Sequence, residues 1–185
     1  MSPTREPKPG PRATLAQDVF AVLRDIPDFP EPGIVFKDFT PLLADPVLSG
    51  RVVDDLAERH RGGVDVVAGI EARGFVFGAA TAYALCVPFV PIRKGGKLPS
   101  TTYRVDYDLE YGSATLEMHT DAVAPGQRVL LVDDVLATGG TAAATVQLMR
   151  RAEATVVALE VILELGFLSG RGALPDVVVR ALLTS

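Results

Sequence analysis

The stretch that decides the fold is VLLVDDVLATGGTAAATVQLMRR, residues Val129 to Arg151. It opens with an apolar run typical of a strand buried on both faces, and it closes with a helix through Ala142 to Met149. Two adjacent acids, Asp133 and Asp134, follow the apolar run. Because a buried carboxylate is costly to desolvate, we expect the pair at the partly wet edge of a sheet.

The segment after the acids, ATGGT, predicts an anion site. Gly139 and Gly140 let the backbone turn with its N–H groups exposed where the helix begins. The acids are acceptors for the vicinal hydroxyls of a sugar or for hydrated Mg²⁺, so acids and amides together describe a site for ribose 5-phosphate. An ordinary strand-to-helix turn, with solvated acids and Thr141 as a mere cap, explains these residues equally well. Since no lysine follows the glycines and GxGxxG is absent, a P-loop and a dinucleotide fold are unsupported.

Length and composition predict a single domain over residues 1–185, with residues 1–12, which contain four prolines, as a flexible tail. A net charge of −5 without a basic stripe argues against nucleic-acid binding. No segment reaches the roughly 20 apolar residues of a membrane span, and a reducing cytoplasm is the expected location. Cys86 lies in an apolar run and is expected in the core, whereas His60 and His119 are expected at a helix end and on a strand surface.

The order of predicted elements indicates an α/β fold with a mostly parallel central sheet flanked by helices. Helices are predicted from Thr14, from Asp45 and Pro46 to about His60, and from about Gly74 to Leu85. Strands are predicted at VDVVAGI from Val64, VPFVPI from Val87, VLLVDD, TVVALEVIL and DVVVRALL. Residues 103–111 alternate between apolar and polar like a half-exposed strand, and ATLEM is its expected antiparallel partner.

The string VLLVDDVLATGGT resembles the phosphoribosyl-diphosphate signature of the type I phosphoribosyltransferases, and its LATGGT ending is similar to that of the adenine-specific members. Four further segments are similar to the family in the family's order, from about Ile26 to the C-terminus. These segments are FPEPGIVFKDFTPLL, GIEARGFVFG, PIRKGGKLP and YDLEYGSATLEMH. The resemblance implies the type I fold, with an antiparallel flexible hairpin and a small hood from the N-terminal region.

The implied reaction transfers the 5-phosphoribosyl group of 5-phosphoribosyl 1-diphosphate to adenine, giving AMP and diphosphate in purine salvage. Mg²⁺ is the implied cofactor, held mainly by substrate oxygens and water rather than by a dedicated protein cage. A homodimer is also implied. In the family's 6-oxopurine enzymes the position of Ala137 commonly carries an acid, so the alanine favours adenine. The alternatives are a transferase for a 6-oxopurine or orotate, or a non-catalytic regulator that senses phosphoribosyl diphosphate, which would need a DNA-binding extension.

The resemblance assigns the ribose hydroxyls to Asp133 and Asp134 and the leaving diphosphate to Arg73. The residues assigned to the 5-phosphate are Ala137, Thr138, Gly139, Gly140 and Thr141. A surface salt bridge between Arg73 and Glu71 is the competing explanation for that arginine. Sites of this class often hold a cis peptide just before it, which predicts a cis bond between Glu71 and Ala72.

The loop RKGGKLPS carries Arg93, Lys94 and Lys97, and cations on a glycine-containing hairpin suit a lid over diphosphate. Lys94 is the first choice for a diphosphate contact and Lys97 the second, with a solvated basic turn as the alternative. In the family, the matching glutamate handles a proton on the purine imidazole ring, and the resemblance assigns that role to Glu110. The alternating strand pattern alone favours an exposed polar residue without a catalytic role at this position. Tyr111 beside it would help to close the lid.

Adenine recognition is assigned to PGIVFKD. Adenine presents an amino donor beside a ring acceptor. The main chain at Val35 and Lys37 offers a carbonyl and an N–H in the complementary order, and Phe36 is expected to stack on the base. Core packing is an equal alternative for Phe36. Lys37 replaces the arginine common in the family, a modest change if only its backbone reads the base.

Overall fold

The computed structural model describes residues 14–108 and 113–185. The chain divides into two compact units, Met1–Val52 and Val53–Ser185. The single domain over residues 1–185 therefore stays a prediction.

The first unit contains two helix starts that the sequence predicts. Helix α1, Leu15–Val22, begins at a capping box in which Thr14 and Gln17 exchange hydrogen bonds. Helix α3, Pro46–His60, starts after Asp45, whose carboxylate accepts the N–H groups of the first turn. Between them lie the antiparallel strands β1, Arg24–Pro27, and β2, Val35–Asp38, and the short helix α2, Thr40–Ala44. The three prolines of PDFPEPGIVFKDF predict an extended, turning path, which is confirmed, but the sequence did not predict the pairing of β1 with β2.

The second unit is built on a seven-stranded sheet in the order β5-β6-β4-β3-β7-β8-β9. Its strands are β3 Val66–Ile70, β4 Phe89–Lys94, β5 Thr102–Asp108, β6 Ser113–His119, β7 Arg128–Leu136, β8 Thr155–Glu164 and β9 Val179–Thr184. Strands β4, β3, β7, β8 and β9 run parallel, whereas β6 pairs antiparallel with both β4 and β5. The predicted mostly parallel sheet with an antiparallel hairpin is confirmed.

Two helices cover the sheet. Helix α4, Gly74–Leu85, packs against β3, β7 and β4, and helix α5, Gly140–Arg151, packs against β5, β6 and β8. The central strand β3 is buried along its whole length, which explains why it reads as a continuous apolar run. Within the described part of the chain, no helix combines the length and the apolar character needed to cross a membrane.

The structure corrects the prediction for Cys86 and refines the one for His60. Cys86 is exposed, because it ends α4 in the left-handed conformation where that helix reaches the surface. His60 does lie at the end of α3, but it is buried and its Nε2 lies 2.7 Å from the Glu160 carboxylate of β8. His119 ends β6 and is partly exposed, as expected.

The close approach of β3 to α4 depends on the small size of Gly69. A Cβ at Gly69 would lie 2.7 Å from the Phe89 ring and 2.8 Å from the Gly74 carbonyl oxygen. We expect Gly69→Ala to lower the free energy of unfolding in urea by about 1–3 kcal/mol, the usual cost of overpacking. Gly50→Ala, in α3 with no atom within 4 Å of its Cβ, should instead raise it by about 0.5–1 kcal/mol. Equal effects of the two substitutions would contradict the packing account.

Candidate functional site

The parallel register of β3 and β7 brings two charged segments to the same sheet edge. Gly69 of β3 lies beside Val132 of β7, so the loop after β3 lies next to the two acids. Arg73 Nε is 2.7 Å from Asp134 Oδ2 in this structure. The ion-pair partner of Arg73 is therefore Asp134, and not Glu71 as the competing explanation held. The predicted cis peptide between Glu71 and Ala72 is confirmed.

The two acids differ in burial. Asp133 is partly exposed, as predicted, but Asp134 is only 5% exposed, so the expectation of a wet edge was wrong for that residue. Asp134 contacts Arg73, whereas Asp133 lines a cavity beside α5 and its Oδ1 accepts the Asp134 N–H at 2.8 Å. Desolvation of the partly buried carboxylate, and then the charge of Asp134, raises the pKa of Asp133 well above its ordinary value. A cation or hydroxyl donor beside this pair would relieve that repulsion.

The glycine turn opens onto this cavity. Gly139 is the cap residue of α5 and adopts φ 87°, a left-handed conformation that favours glycine, and no cap side chain covers the first N–H groups of the helix. The cavity has a volume of about 90 Å³. It is lined by Asp133, Val135, Leu136, Ala137, Thr138, Gly139, Gly140, Thr141, Ala142, Leu159 and Val161. Thr141 does not act as a cap, and its hydroxyl lies 3.4 Å from that of Tyr107 on β5.

Two acids, Glu71 and Glu117, hold the basic loop in place, a role that the sequence did not predict for either. Glu71 accepts the Lys94 N–H at 2.9 Å and the Arg93 Nε at 3.2 Å. Glu117 of β6, with its side chain fully buried, accepts the N–H groups of Lys97 and Leu98, each at 2.7 Å. The loop is thus anchored through its backbone, while Lys94 and Lys97 are exposed. The sequence feature that could have indicated a role for Glu117 is its position as the single acid, between Leu and Met, in the apolar segment ATLEM.

Both anchoring acids are ionised in the folded protein. Desolvation opposes ionisation at Glu117, but hydrogen bonds from the loop N–H groups and the nearby Arg104 outweigh it and lower its pKa. At Glu71, desolvation is likewise outweighed by the Lys94 N–H and by Arg93, so its pKa is lowered too. At neutral pH both side chains are therefore negatively charged, and this charge strengthens the hydrogen bonds that hold the loop.

The residues proposed to read the base lie in the first unit. Val35 is exposed, and the partly buried Phe36 packs edge-on against Phe29, with 5.2 Å between ring centroids. The ammonium of Lys37 is 2.5 Å from Asp25 and lies over the Phe20 ring. The Lys37 side chain is thus engaged within its own unit, consistent with a role for its backbone alone.

Glu110 and Tyr111 fall outside the described residues, so their roles remain predictions. Among the residues that the structure does describe, no group of three or more His, Cys, Asp or Glu side chains is placed to hold a metal ion.

This chain is similar to known phosphoribosyltransferases in both sequence and structure. The profile of the phosphoribosyl transferase domain matches residues 43–172, a range that contains the acid pair, the glycine turn and Arg73. The chain is 61% identical over 163 residues to the adenine phosphoribosyltransferase of Thermobifida fusca (strain YX), covering 88% of this chain and 93% of that protein. It is 56% identical over 181 residues to the enzyme of the same name from Nocardioides sp. (strain ATCC BAA-499 / JS614), covering 95% and 98% of the two chains.

Solved structures agree with these sequence relationships. The adenine phosphoribosyltransferase of Thermoanaerobacter pseudethanolicus superimposes with a TM-score of 0.89 at 45% identity, over 92% of this chain and 99% of that chain. The Saccharomyces cerevisiae enzyme gives 0.88 at 39% identity, over 91% and 98%. The protein therefore belongs to the adenine phosphoribosyltransferase family of enzymes.

The ionised state of Glu117 predicts how its contribution to stability depends on pH. Because its pKa is lowered on folding, the stabilisation is present above its unfolded pKa of about 4.3 and is lost as the pH falls through the folded value. We expect Glu117→Gln to lower the free energy of unfolding at pH 7 and to lower it progressively less between pH 5 and pH 3. Chemical unfolding over this range measures the difference.

A matched acid-to-amide change at the exposed Asp121 provides the control. It should alter stability by less than about 0.5 kcal/mol at every pH. A stability loss for Glu117→Gln that did not change with pH would contradict the assigned ionisation.

Proposed function

We propose that this chain transfers the 5-phosphoribosyl group of 5-phosphoribosyl 1-diphosphate to adenine, producing AMP and diphosphate. The observation that carries the proposal is the convergence of Asp133, Asp134, Arg73 and the glycine turn at one sheet edge. Two structural relatives support the substrate class. The Saccharomyces cerevisiae enzyme was solved with an imino-altritol bisphosphate and adenine, and the Trypanosoma brucei protein with AMP, pyrophosphate and ribose-5-phosphate.

The ribose 5-phosphate half of the substrate is assigned to β7 and α5. The N–H groups and hydroxyls of residues 137–141 bind the 5-phosphate at the helix N-terminus. Asp133 and Asp134 accept the ribose hydroxyls, and their negative charge favours the positive charge that develops at the anomeric carbon as diphosphate leaves. The raised pKa of Asp133 supports this assignment, because a carboxylate under repulsion gains from a nearby positive charge.

The diphosphate is assigned to Arg73 and to the basic loop. Asp134 fixes the Arg73 guanidinium at the strand ends, where it can bind phosphate oxygens bidentately. Lys94, with Lys97 as a second contact, closes over the diphosphate and excludes water that would hydrolyse the reactive sugar. Glu110 handles the proton of the purine imidazole ring and Tyr111 completes the lid, both on the family resemblance.

Adenine is assigned to the open edge of β2. Val35 pairs with Pro27, which has no N–H to donate, so that pair cannot exchange two hydrogen bonds. In an antiparallel pair, hydrogen-bonded and non-hydrogen-bonded residue pairs alternate. If Val35 is in a non-hydrogen-bonded pair, then Lys37 is too, and the main-chain N–H and C=O groups of both residues point away from β1. A carbonyl and an N–H at this edge complement the amino group and ring nitrogen of adenine, with Phe36 stacking on the base.

Magnesium fits the donor set of the proposed site. Mg²⁺ prefers carboxylate, phosphate and water oxygens, and Asp133 presents a carboxylate beside the proposed sugar position. We infer that the ion arrives with the diphosphate, is held mainly by substrate oxygens and water, and supplies charge neutralisation there. The cytoplasm is assigned as the location on the family resemblance.

We propose that the acid pair is essential for this reaction. Asp133→Asn combined with Asp134→Asn removes both negative charges at nearly constant shape, so turnover of adenine should fall by at least roughly 10²-fold while the fold persists. The assay supplies Mg²⁺ and 5-phosphoribosyl 1-diphosphate with adenine, hypoxanthine, guanine or orotate and measures nucleotide and released diphosphate. Nucleotide should form with adenine.

The control for this pair is Asp176→Asn at an exposed carboxylate, which should retain activity. Unchanged turnover in the double variant would remove the acids from the mechanism. Nucleotide formed from another base and not from adenine would favour the alternative transferase, and no nucleotide with any base would favour the regulator.

A homodimer is proposed on the surface of α4. The helix sequence GFVFGAATAYAL contains no charged residue, yet Tyr83 is 86% and Val76 is 49% exposed along it. A helix that is apolar on all faces is normally buried, and an uncharged patch suits a second copy of the same surface.

Sedimentation measurements test the proposed dimer. The wild-type chain should sediment as a dimer, and Tyr83→Glu should shift it to monomer by placing charges in the interface. Val178→Glu, at an exposed apolar residue near β9, should leave the dimer intact. A Tyr83→Glu variant that remained dimeric would exclude this surface.

A further inference from the structure

A turn between β8 and β9 lies directly against the proposed phosphate loop, residues 137–141. We call residues 165–174 the Gly170 turn. A Cβ at Gly170 would lie 2.2 Å from the Ala137 carbonyl oxygen, and a Cβ at Gly139 would lie 2.4 Å from the Gly170 carbonyl oxygen. The two backbones are therefore in direct contact, without space for a side chain between them.

The Gly170 turn is clamped to the sheet by one arginine. Arg171 donates two hydrogen bonds of 2.7 Å to the Glu164 carboxylate and one of 2.6 Å to the Val179 carbonyl oxygen. Glu164 ends β8, which pairs with β7 on one side and β9 on the other. This bidentate pair ties the turn to the strand next to the one that carries the phosphate loop, and Leu174 at its far end is buried in the core.

The contact is specific to one side of the turn. A Cβ at the neighbouring Gly172 would have no atom within 4 Å, and neither Gly170 nor Gly172 adopts a left-handed conformation. A connection that only joined β8 to β9 would not need the backbone of Gly170 against residues 137–139. The phosphate loop contains two adjacent glycines, so the direction of its N–H groups depends on what supports it from outside.

We propose that the Gly170 turn, clamped by Arg171 to Glu164, is a positioning element that holds the phosphate loop and sets its affinity for the 5-phosphate of the substrate. The proposal rests on the proposed function. It assigns no contact with substrate to Gly170 or Arg171. Their effect passes through the backbone of residues 137–139.

The decisive comparison is Gly170→Ala against Gly172→Ala. Gly170→Ala should raise KM for 5-phosphoribosyl 1-diphosphate and Kd for ribose 5-phosphate by roughly 10- to 100-fold, a range taken from the loss of residues that orient metal ligands. KM for adenine should stay within about twofold, because the base is read elsewhere. Gly172→Ala should match the wild type in every constant.

A second pair of variants keeps the test valid if Gly170→Ala does not fold. Arg171→Lys retains the charge but loses the bidentate geometry, so it should raise the same two constants in the same direction. Arg150→Lys, at an exposed ion pair with Asp176, should have no effect. All constants are measured at a temperature well below the thermal unfolding midpoint of each variant.

The outcomes separate the two proposals. Wild-type protein that neither binds ribose 5-phosphate nor turns over substrate would refute the proposed function itself. With active wild-type protein, Gly170→Ala or Arg171→Lys variants that lose thermal stability or kcat while both phosphate constants stay unchanged would show a purely structural role and overturn the inference.

Discussion

The parallel pairing of β3 with β7 is the constraint on which the site depends. It places the ends of two buried strands side by side, so that the loop carrying Arg73 meets Asp133 and Asp134 near the end of β7 at one edge. Once the strands pair, the 2.7 Å contact between Arg73 and Asp134 gives a buried carboxylate its compensating charge.

Three acids around this edge are stabilised in their ionised form by cations or N–H groups, whereas a fourth, Asp133, is not. Glu71, Glu117 and Glu164 accept hydrogen bonds from arginine or from the main chain, and the pKa of each is lowered. Asp133 differs, since burial and the neighbouring Asp134 raise its pKa. The ionised form of Asp133 is therefore disfavoured in the absence of a nearby positive charge, and it lies where the proposed reaction develops positive charge on the sugar.

Local patterns predicted most of the fold. The apolar run before Asp133 and the glycines after it located β7 and α5, and the predicted bounds of α4 agree with the structure. Patterns of this kind depend on residues a few positions apart, where periodicity and turn chemistry are informative. The resemblance supplied what local patterns could not, including the cis peptide before Arg73.

What the sequence did not predict depends on residues far apart in the chain. The pairing of Glu71 with Arg93, the burial of Glu117 beneath the basic loop and the contact of Gly170 with Ala137 each join separate elements. Cys86 was misplaced because an apolar run was read as core, although the run includes the surface end of α4. Such contacts follow from strand order, which no single segment encodes.

A crystal structure of this protein with bound AMP tests the central claim most directly. We expect the 5-phosphate on the N–H groups of residues 138–141 and the ribose diol within hydrogen-bond distance of the Asp133 and Asp134 carboxylates. A nucleotide bound elsewhere, with no ligand at the end of β7, would contradict it.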